Sequence, residues 1–414
     1  MKLHHAWPKG HWAWPIQVTH QHGVRCGPMI WVGGQLDMTE SGEVCRAGDL
    51  FAQIPQVARH LGNVLTELDS ELSDLVKLLC FYVNDGSVDE RDLLAAIAAA
   101  LPAEAKPAIT AVPVPYLAYP GIAIEMEGYA MRGEDGEDLP RNLAPPKGLT
   151  PLSDRFAPAL RCGKMIYVSA QSPVDQAGRV LNPGDIVAQT RQVMDQIGAA
   201  LKYFGAGYDD VVKLNRWYVG GGTVADFEPA ALACAEHFKE PGPAATGIPI
   251  PRHVLAGQQI KIEVVAMLGE DGRHLPRRYS WPDSLWDWHV HLPYKHGLAC
   301  EGMIFLGGQV SLDKQGRTVN AGDLPAQTRQ AMVHVGTILR DLGADYHDVC
   351  KVTTVYQGRS NASDLHDNLV IRSYFFPYPG PATTGIPLPA LAYPDMAIEI
   401  DIFAMKEMES SDGL

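Results

Sequence analysis

Three glutamates stand in closely similar apolar stretches: Glu125 in AIEMEGYAM, Glu263 in KIEVVAML and Glu399 in AIEIDIFAM. A carboxyl group in a semi-enclosed strand pocket is costly to ionise, so its pKa rises toward neutrality. Such a group can give and take protons near pH 7, which is general acid–base work. An IEI pattern also puts Glu on a solvated face by simple alternation, so its neighbours have to decide. Arg216 and Arg252 occur only in the middle third of the chain, and a guanidinium is a bidentate donor for a carboxylate. Arg161 matches Arg25, whereas Ala299 takes the third position. His22 and His296 match each other and are candidate proton donors. The chain carries no HExxH, CxxC or clustered His/Asp set at ligand spacing, so neither metal nor cofactor is expected. Seven scattered Cys suggest no disulfide framework, and Cys26, Cys162 and Cys300 read as small buried hydrophobes.

The elements that must position these residues come in threes. Gln35, Gln171 and Gln309 are 136 and 138 apart, and Asp49, Asp185 and Asp323 keep the same offsets, as do Lys77, Lys213 and Lys351. Repeats at this spacing are domains rather than solenoid units. The reading is three domains, at 1–132, 150–268 and 285–408. Each opens with an apolar strand: MIWVGGQ, MIYVSAQ or MIFLGGQ. An amphipathic helix of about 18 residues follows, with Ala326, Ala331, Val335, Ile338 and Leu342 forming its buried face in the third copy. The aligned Asp before each helix is a plausible N-cap. A strand, a second helix (clearest at 93–100 and 227–238) and a closing strand pair complete ββαβαββ, an α+β sheet domain. Charged, Pro-bearing segments after residues 133–136 and 269–272 read as linkers, and the tail after Met405 reads as frayed.

Copies one and three share Trp12/Trp14 and Trp286/Trp288, which read as packing anchors, together with Tyr119/Tyr393. The second copy lacks all of these. A net charge of −14 speaks against a nucleic-acid groove. No 18-residue apolar run occurs, so no membrane span is expected. The opening MKLHHAWPKGHWAWP resembles neither a signal peptide nor a presequence, which gives an expected cytoplasmic location.

The segment AQTRQVMDQIGAALKYFGAGYDDVVK, with the strand ending in GQ and the I-E-I-E closing strand, resembles the RidA family, also called YjgF or L-PSP. The resemblance covers nearly the whole chain, three times over. It implies a chorismate-mutase-like fold and, from family homotrimers with pockets between subunits, an intrachain pseudo-trimer. A pairing of two chains into a pseudo-hexamer is compatible with it. The implied activity is hydrolytic deamination of enamines or imines without cofactor. The family glutamate maps to Glu125, Glu263 and Glu399. The pocket tyrosine maps to His20, Phe156 and Tyr294, and the carboxylate-binding arginine to Ile109, Ala245 and Thr383. Beside the last set stand Thr110, Thr246 and Thr384, candidates to hydrogen-bond a ligand.

The leading expectation is therefore an enamine/imine deaminase acting on a small molecule, specifically a 2-aminomuconate-type intermediate of aromatic catabolism. One alternative is a cyclic-amide hydrolase of the cyanuric-acid-hydrolase and barbiturase kind. It needs a Ser-Lys pair in each domain, yet only Ser169 stands at a strand end, with Gly33 and Gly307 in its place elsewhere. A second alternative is a non-catalytic small-molecule-binding protein. If three copies complete one ring, light scattering will report one chain or a pair. An obligatory assembly of three chains would overturn that expectation.

Overall fold

The computed structural model describes residues 2–406. Met1 and residues 407–414, which hold the last two positions of the third expected domain and nearly all of the tail, lie outside the described residues. The first domain comprises β1 (Leu3–Ala6), β2 (Gly23–Cys26), β3 (Met29–Gln35), α1 (Leu50–Glu67), β4 (Leu75–Val83), α2 (Glu90–Ala100), β5 (Ala108–Val114) and β6 (Ile124–Met131). The second comprises β7 (Arg141–Leu143), β8 (Ala159–Cys162), β9 (Met165–Gln171), α3 (Ile186–Tyr203), β10 (Val211–Val219), α4 (Val224–Ala235), β11 (Ala244–Ile250) and β12 (Ile260–Met267). The third comprises β13 (Arg277–Ser280), β14 (Gly297–Cys300), β15 (Met303–Gln309), α5 (Leu324–Asp341), β16 (Val349–Gln357), α6 (Ala362–Ser373), β17 (Ala382–Leu388) and β18 (Ile398–Met405).

Each domain is an α+β unit with one six-stranded mixed sheet, in the order β1-β2-β3-β6-β4-β5 and its equivalents. Only the β4–β5 type of pair is parallel, joined by the crossover helix α2 or its counterpart. The expected ββαβαββ order is present, with one addition. The segments read as linkers donate the edge strands β7 and β13 to the domains that follow them.

The long helices start where their caps dictate. Asp49, Asp185 and Asp323 accept hydrogen bonds from Ala52, Ala188 and Ala326 backbone N–H groups. Their apolar faces are buried, with Ala331, Val335 and Ile338 inaccessible in α5. Among the described residues, no helix is long and apolar enough to cross a membrane.

The three sheets contact one another in cyclic order: β5 packs on β9, β11 on β15 and β17 on β3. Backbone bonds stitch each seam, from Ala157 N–H to Pro107 O (3.0 Å), Lys295 N–H to Pro243 O (3.1 Å) and Gln21 N–H to Pro381 O (3.0 Å). Close approach sets the residue type there. A Cβ at Gly33 would lie 2.5 Å from Thr383 O, and one at Gly307 would lie 2.6 Å from Ala245 O. The second domain has Ser169 instead, whose hydroxyl accepts the Ile109 N–H at 2.7 Å.

Where the sheets converge, three ion pairs cross between domains: Lys77–Glu263, Lys213–Asp401 and Lys351–Glu127, each 2.7 Å. Thr110, Thr246 and Thr384 donate to the same three carboxylates. Removing one partner from such a buried pair leaves an uncompensated charge, at a cost of about 3–5 kcal/mol. Lys351→Met should therefore destabilise the chain by about that amount in urea titrations. An effect within about 0.5 kcal/mol of zero, as is usual for surface sites, would mean that the ring is dispensable.

Candidate functional site

The strand register identifies the true counterparts of the first glutamate. Glu125 lies opposite Phe81, Lys261 opposite Trp217 and Glu399 opposite Val355. Glu263 lies opposite Asn215, as Glu127 lies opposite Leu79 and Asp401 opposite Thr353. Glu263 is thus an axial ion-pair residue, and the expectation of three equivalent site glutamates is corrected. A slip of two residues keeps the same strand face, so alternation hides it. The separations do reveal it, because 125, 263 and 399 are spaced 138 and 136, the reverse of every other repeat.

A buried glutamine sets each of these positions. Gln53 accepts the Ala123 N–H (2.8 Å) and donates to Gly121 O (2.8 Å), fixing the entry of β6 two residues before Glu125. Gln327 does the same for Ala397 and Glu399, and Gln189 for Gln259 and Lys261.

Glu125 faces the interface between the first and third domains. Trp14, Tyr119 and Leu36 of the first domain and Leu365, Leu369 and Gly385 of the third enclose it. The enclosed space is about 20 Å³, room for about one water molecule. Burial pushes the Glu125 carboxyl up to about 8, Glu127 adds to the rise, and Lys351 and a bond to the Gly385 backbone oppose it. Arg372 is buried nearby and donates to Thr383 Oγ1 at 2.9 Å. His20 packs on Phe376 and is held neutral by burial and by the Arg372 charge.

Glu399 faces the interface between the third and second domains. Its carboxyl is also raised to about 8, by burial first and Asp401 second, with Lys213, Arg216 and a Gly247 backbone bond opposing. Arg216 lies 3.4 Å from the Tyr294 hydroxyl and over the Phe227 and Tyr294 rings. His20 and Tyr294 therefore occupy equivalent places, each beside a buried arginine, but Arg372 comes from a helix and Arg216 from a strand.

The remaining interface, between the second and first domains, is built differently. Lys261 Nζ bonds Glu90 Oε1 (2.7 Å) and Ala111 O (3.0 Å), and Tyr82 donates to Glu90 at 3.2 Å. A Cβ at Gly34 or Gly308 would overlap the carboxylate of Glu125 or Glu399. The matching residue in the second domain is Ala170, so the carboxyl and the methyl exclude each other. Arg252 belongs to this locked seam, donating to Asn84 O at 3.1 Å, and does not meet a site glutamate.

Other sequence candidates have structural partners. Arg161 donates to Gly163 O, Leu268 O and Gly269 O, clamping a hairpin. His296 bonds Trp286 O at 3.1 Å and stacks on Trp281, and burial takes it down to about 3. Thr246 and Thr384 serve the axial ring. Trp12 and Trp286 anchor on Gln35 and Gln309. The sequence reading missed Arg372, Lys261 and Glu90. Lys261 was recoverable from the spacing; nothing in the sequence relates a helix arginine to a strand one.

A family model described as Endoribonuclease L-PSP matches residues 15–132, 150–268 and 289–406. A RutC family protein of Pyrococcus horikoshii is 32% identical over 124 residues, covering 29% of this chain and 90% of the relative. A 3-aminoacrylate deaminase RutC of Acinetobacter baylyi is 31% identical over 110 residues, covering 26% and 82%. A chorismatase crystal structure aligns with a TM-score of 0.54 at 14% identity, over 80% of this chain and 93% of that one, which is a likeness of fold.

A carboxyl raised from 4.5 to about 8 keeps a proton in the folded state that the unfolded chain has released. Stability contributed by these groups therefore falls as pH rises from about 4.5 to about 8. Glu125→Gln and Glu399→Gln remove the ionisable proton. Each should flatten the melting-temperature profile across that window and melt several degrees above the parent near its upper end. Parallel profiles would contradict neutral carboxyls.

Proposed function

Because the chain belongs to the endoribonuclease L-PSP family, we propose that it is a hydrolytic deaminase that converts a carboxylated enamine or imine to a carbonyl compound and ammonia. The observation that carries this reading is the pair of buried interdomain carboxyls, both raised to about 8 and so protonated at neutral pH. A protonated carboxyl can deliver its proton to the enamine carbon, and the nitrogen lone pair then forms the iminium. Water adds to the iminium carbon and yields a proton to the carboxylate. Proton transfer to nitrogen lets ammonia leave as the C=O bond forms, and the carboxyl is restored. Apart from the water consumed, every proton transfer in this sequence can run through the carboxyl. In each of these interfaces a tyrosine hydroxyl, Tyr356 or Tyr218, is buried without a partner and sits in the field of the glutamate. These hydroxyls are suited to orienting the water.

The relative's name points to a small aminoacrylate, and a longer 2-aminomuconate-type dicarboxylate is the larger candidate of the same chemistry. The cyclic-amide reading is disfavoured, because the Ser169 hydroxyl is used up between Ile109 N–H and Ala157 O.

The test is ammonia release from 3-aminoacrylate, 2-iminopropionate and 2-aminomuconate generated in place. The double variant Glu125→Gln/Glu399→Gln should lose roughly 10²–10⁴-fold in turnover, as for a missing acid–base group. Parent turnover should fall as pH rises through about 8, when the acid form is lost. Full activity in the folded double variant would leave the mechanism without its acid. No turnover on any substrate, with binding retained, would favour a small-molecule-binding protein.

A further inference from the structure

The backbone joins the first domain to the second and the second to the third, but no peptide segment joins the third to the first. The two joined seams also carry a clasp. Arg141 of β7 lies opposite Cys162, and Arg277 of β13 lies opposite Cys300. Arg141 donates to the Ser73 carbonyl of the first domain, and Arg277 to the Val211 carbonyl of the second at 2.9 Å. Each guanidinium also bonds the thiol beside it. At the unjoined seam Leu3 of β1 lies opposite Cys26, and its side chain has no donor to reach across with.

A different pair of residues meets there. The strand register skips one residue near the start of each central strand: Val76 in β4, Val212 in β10 and Cys350 in β16. A bulge of this kind re-aims its side chain. The residue after each bulge is the lysine that crosses to the following domain: Lys77, Lys213 or Lys351. All three bulge residues are buried in one apolar cluster with Cys26, Cys162 and Cys300. By equivalence two seams set a valine against a cysteine. The third sets Cys350 against Cys26, and their thiols hydrogen-bond each other. Both are free thiols in this structure.

We infer that Cys26 and Cys350 are a site of oxidation by hydroperoxides, forming a disulfide that closes the ring of three domains covalently at its one unjoined seam. Thiols already in contact face each other, which is the first requirement of such a bond. The hydrogen bond from Cys350 holds the Cys26 thiol below its ordinary range, so Cys26 is the sulfur that attacks. It bonds to one peroxide oxygen, the O–O bond breaks, and Cys26 becomes a sulfenic acid with release of one water. The Cys350 sulfur then attacks the Cys26 sulfur and the S–O bond breaks. Hydroxide leaves with the Cys350 proton as a second water. Both sulfurs are oxidised and the peroxide is reduced. Burial slows the first step, but hydrogen peroxide is small, and local opening of a seam with no connecting segment stretches no chain. The cross-link ties positions far apart in sequence, which removes freedom from the unfolded chain. None of this rests on the deaminase reading.

The test uses the full chain with Cys45→Ser, because Cys45 is the one cysteine that is not fully buried. It is held in millimolar hydrogen peroxide at neutral pH, then unfolded for thiol titration and digested for peptide mapping. The expected product lacks two thiols and joins the Cys26 peptide to the Cys350 peptide. It should melt several degrees above the reduced chain, and dithiothreitol should remove that rise while leaving any methionine sulfoxide untouched. Adding Cys350→Val installs the residue that both other domains carry, so that variant should fold, form no linkage and show no reversible rise. Cys26→Ser should behave alike. Absence of the linkage after days in peroxide, oxygen added to either cysteine in its place, or an equal reversible rise in the Cys350→Val chain would overturn the inference.

Discussion

A lysine from each domain reaches into the next and finds a carboxylate there, and the three pairs close on themselves. Lys77 belongs to the first domain and its partner Glu263 to the second; Lys213 and Asp401 join the second to the third; Lys351 and Glu127 join the third to the first. The Lys351 and Glu127 side chains are 0% and 1% exposed, so neither charge has water to fall back on. No domain can leave the cycle without stranding a charge on each side. The same ring reaches the candidate sites. Glu127 and Asp401 lie two residues after Glu125 and Glu399 on the same strand faces and help to keep them protonated. Lys351 and Lys213 limit how far that shift goes.

One methyl group separates the interfaces that can hold a neutral carboxyl from the one that cannot. Gly34 and Gly308 leave space that the Glu125 and Glu399 carboxyls fill. With Ala170 in that place, Lys261 takes the strand position and turns to Glu90. The seam then gains Arg252 on Asn84 O and Arg155 on the Leu101 and Pro102 carbonyls. Three interfaces built from one template have thus become two seams that bury a carboxyl and one rivet.

Most of the fold was legible in the sequence because its signals are local and periodic. The repeat offsets gave three domains, the Asp caps gave the helix starts, and apolar runs gave the strands. The edge strands β7 and β13 were not legible, since three or four polar residues carry no period. The candidate site was legible in part. Glu125, Glu399, His20, Tyr294 and Arg216 do meet at interdomain seams. Thr246, Thr384 and Glu263 were drawn away to the axis, because residues on one strand face share an alternation pattern whether they point at a pocket or at an ion pair. Arg372 escaped notice because it comes from another secondary-structure element than Arg216, and only three-dimensional packing puts both beside the same aromatic position.

Covalent fusion changes what a single substitution can do. In a ring of identical subunits every mutation is written at all of the seams at once, since rotational symmetry copies it. A lysine in place of the pocket glutamate would then close every pocket together. Here Lys261 and its partner Glu90 alter one seam and leave the other two as they were. The joined chain therefore gives each seam its own heredity: one can be spent on rigidity while the other two keep their buried carboxyls, and each can drift without consulting the others.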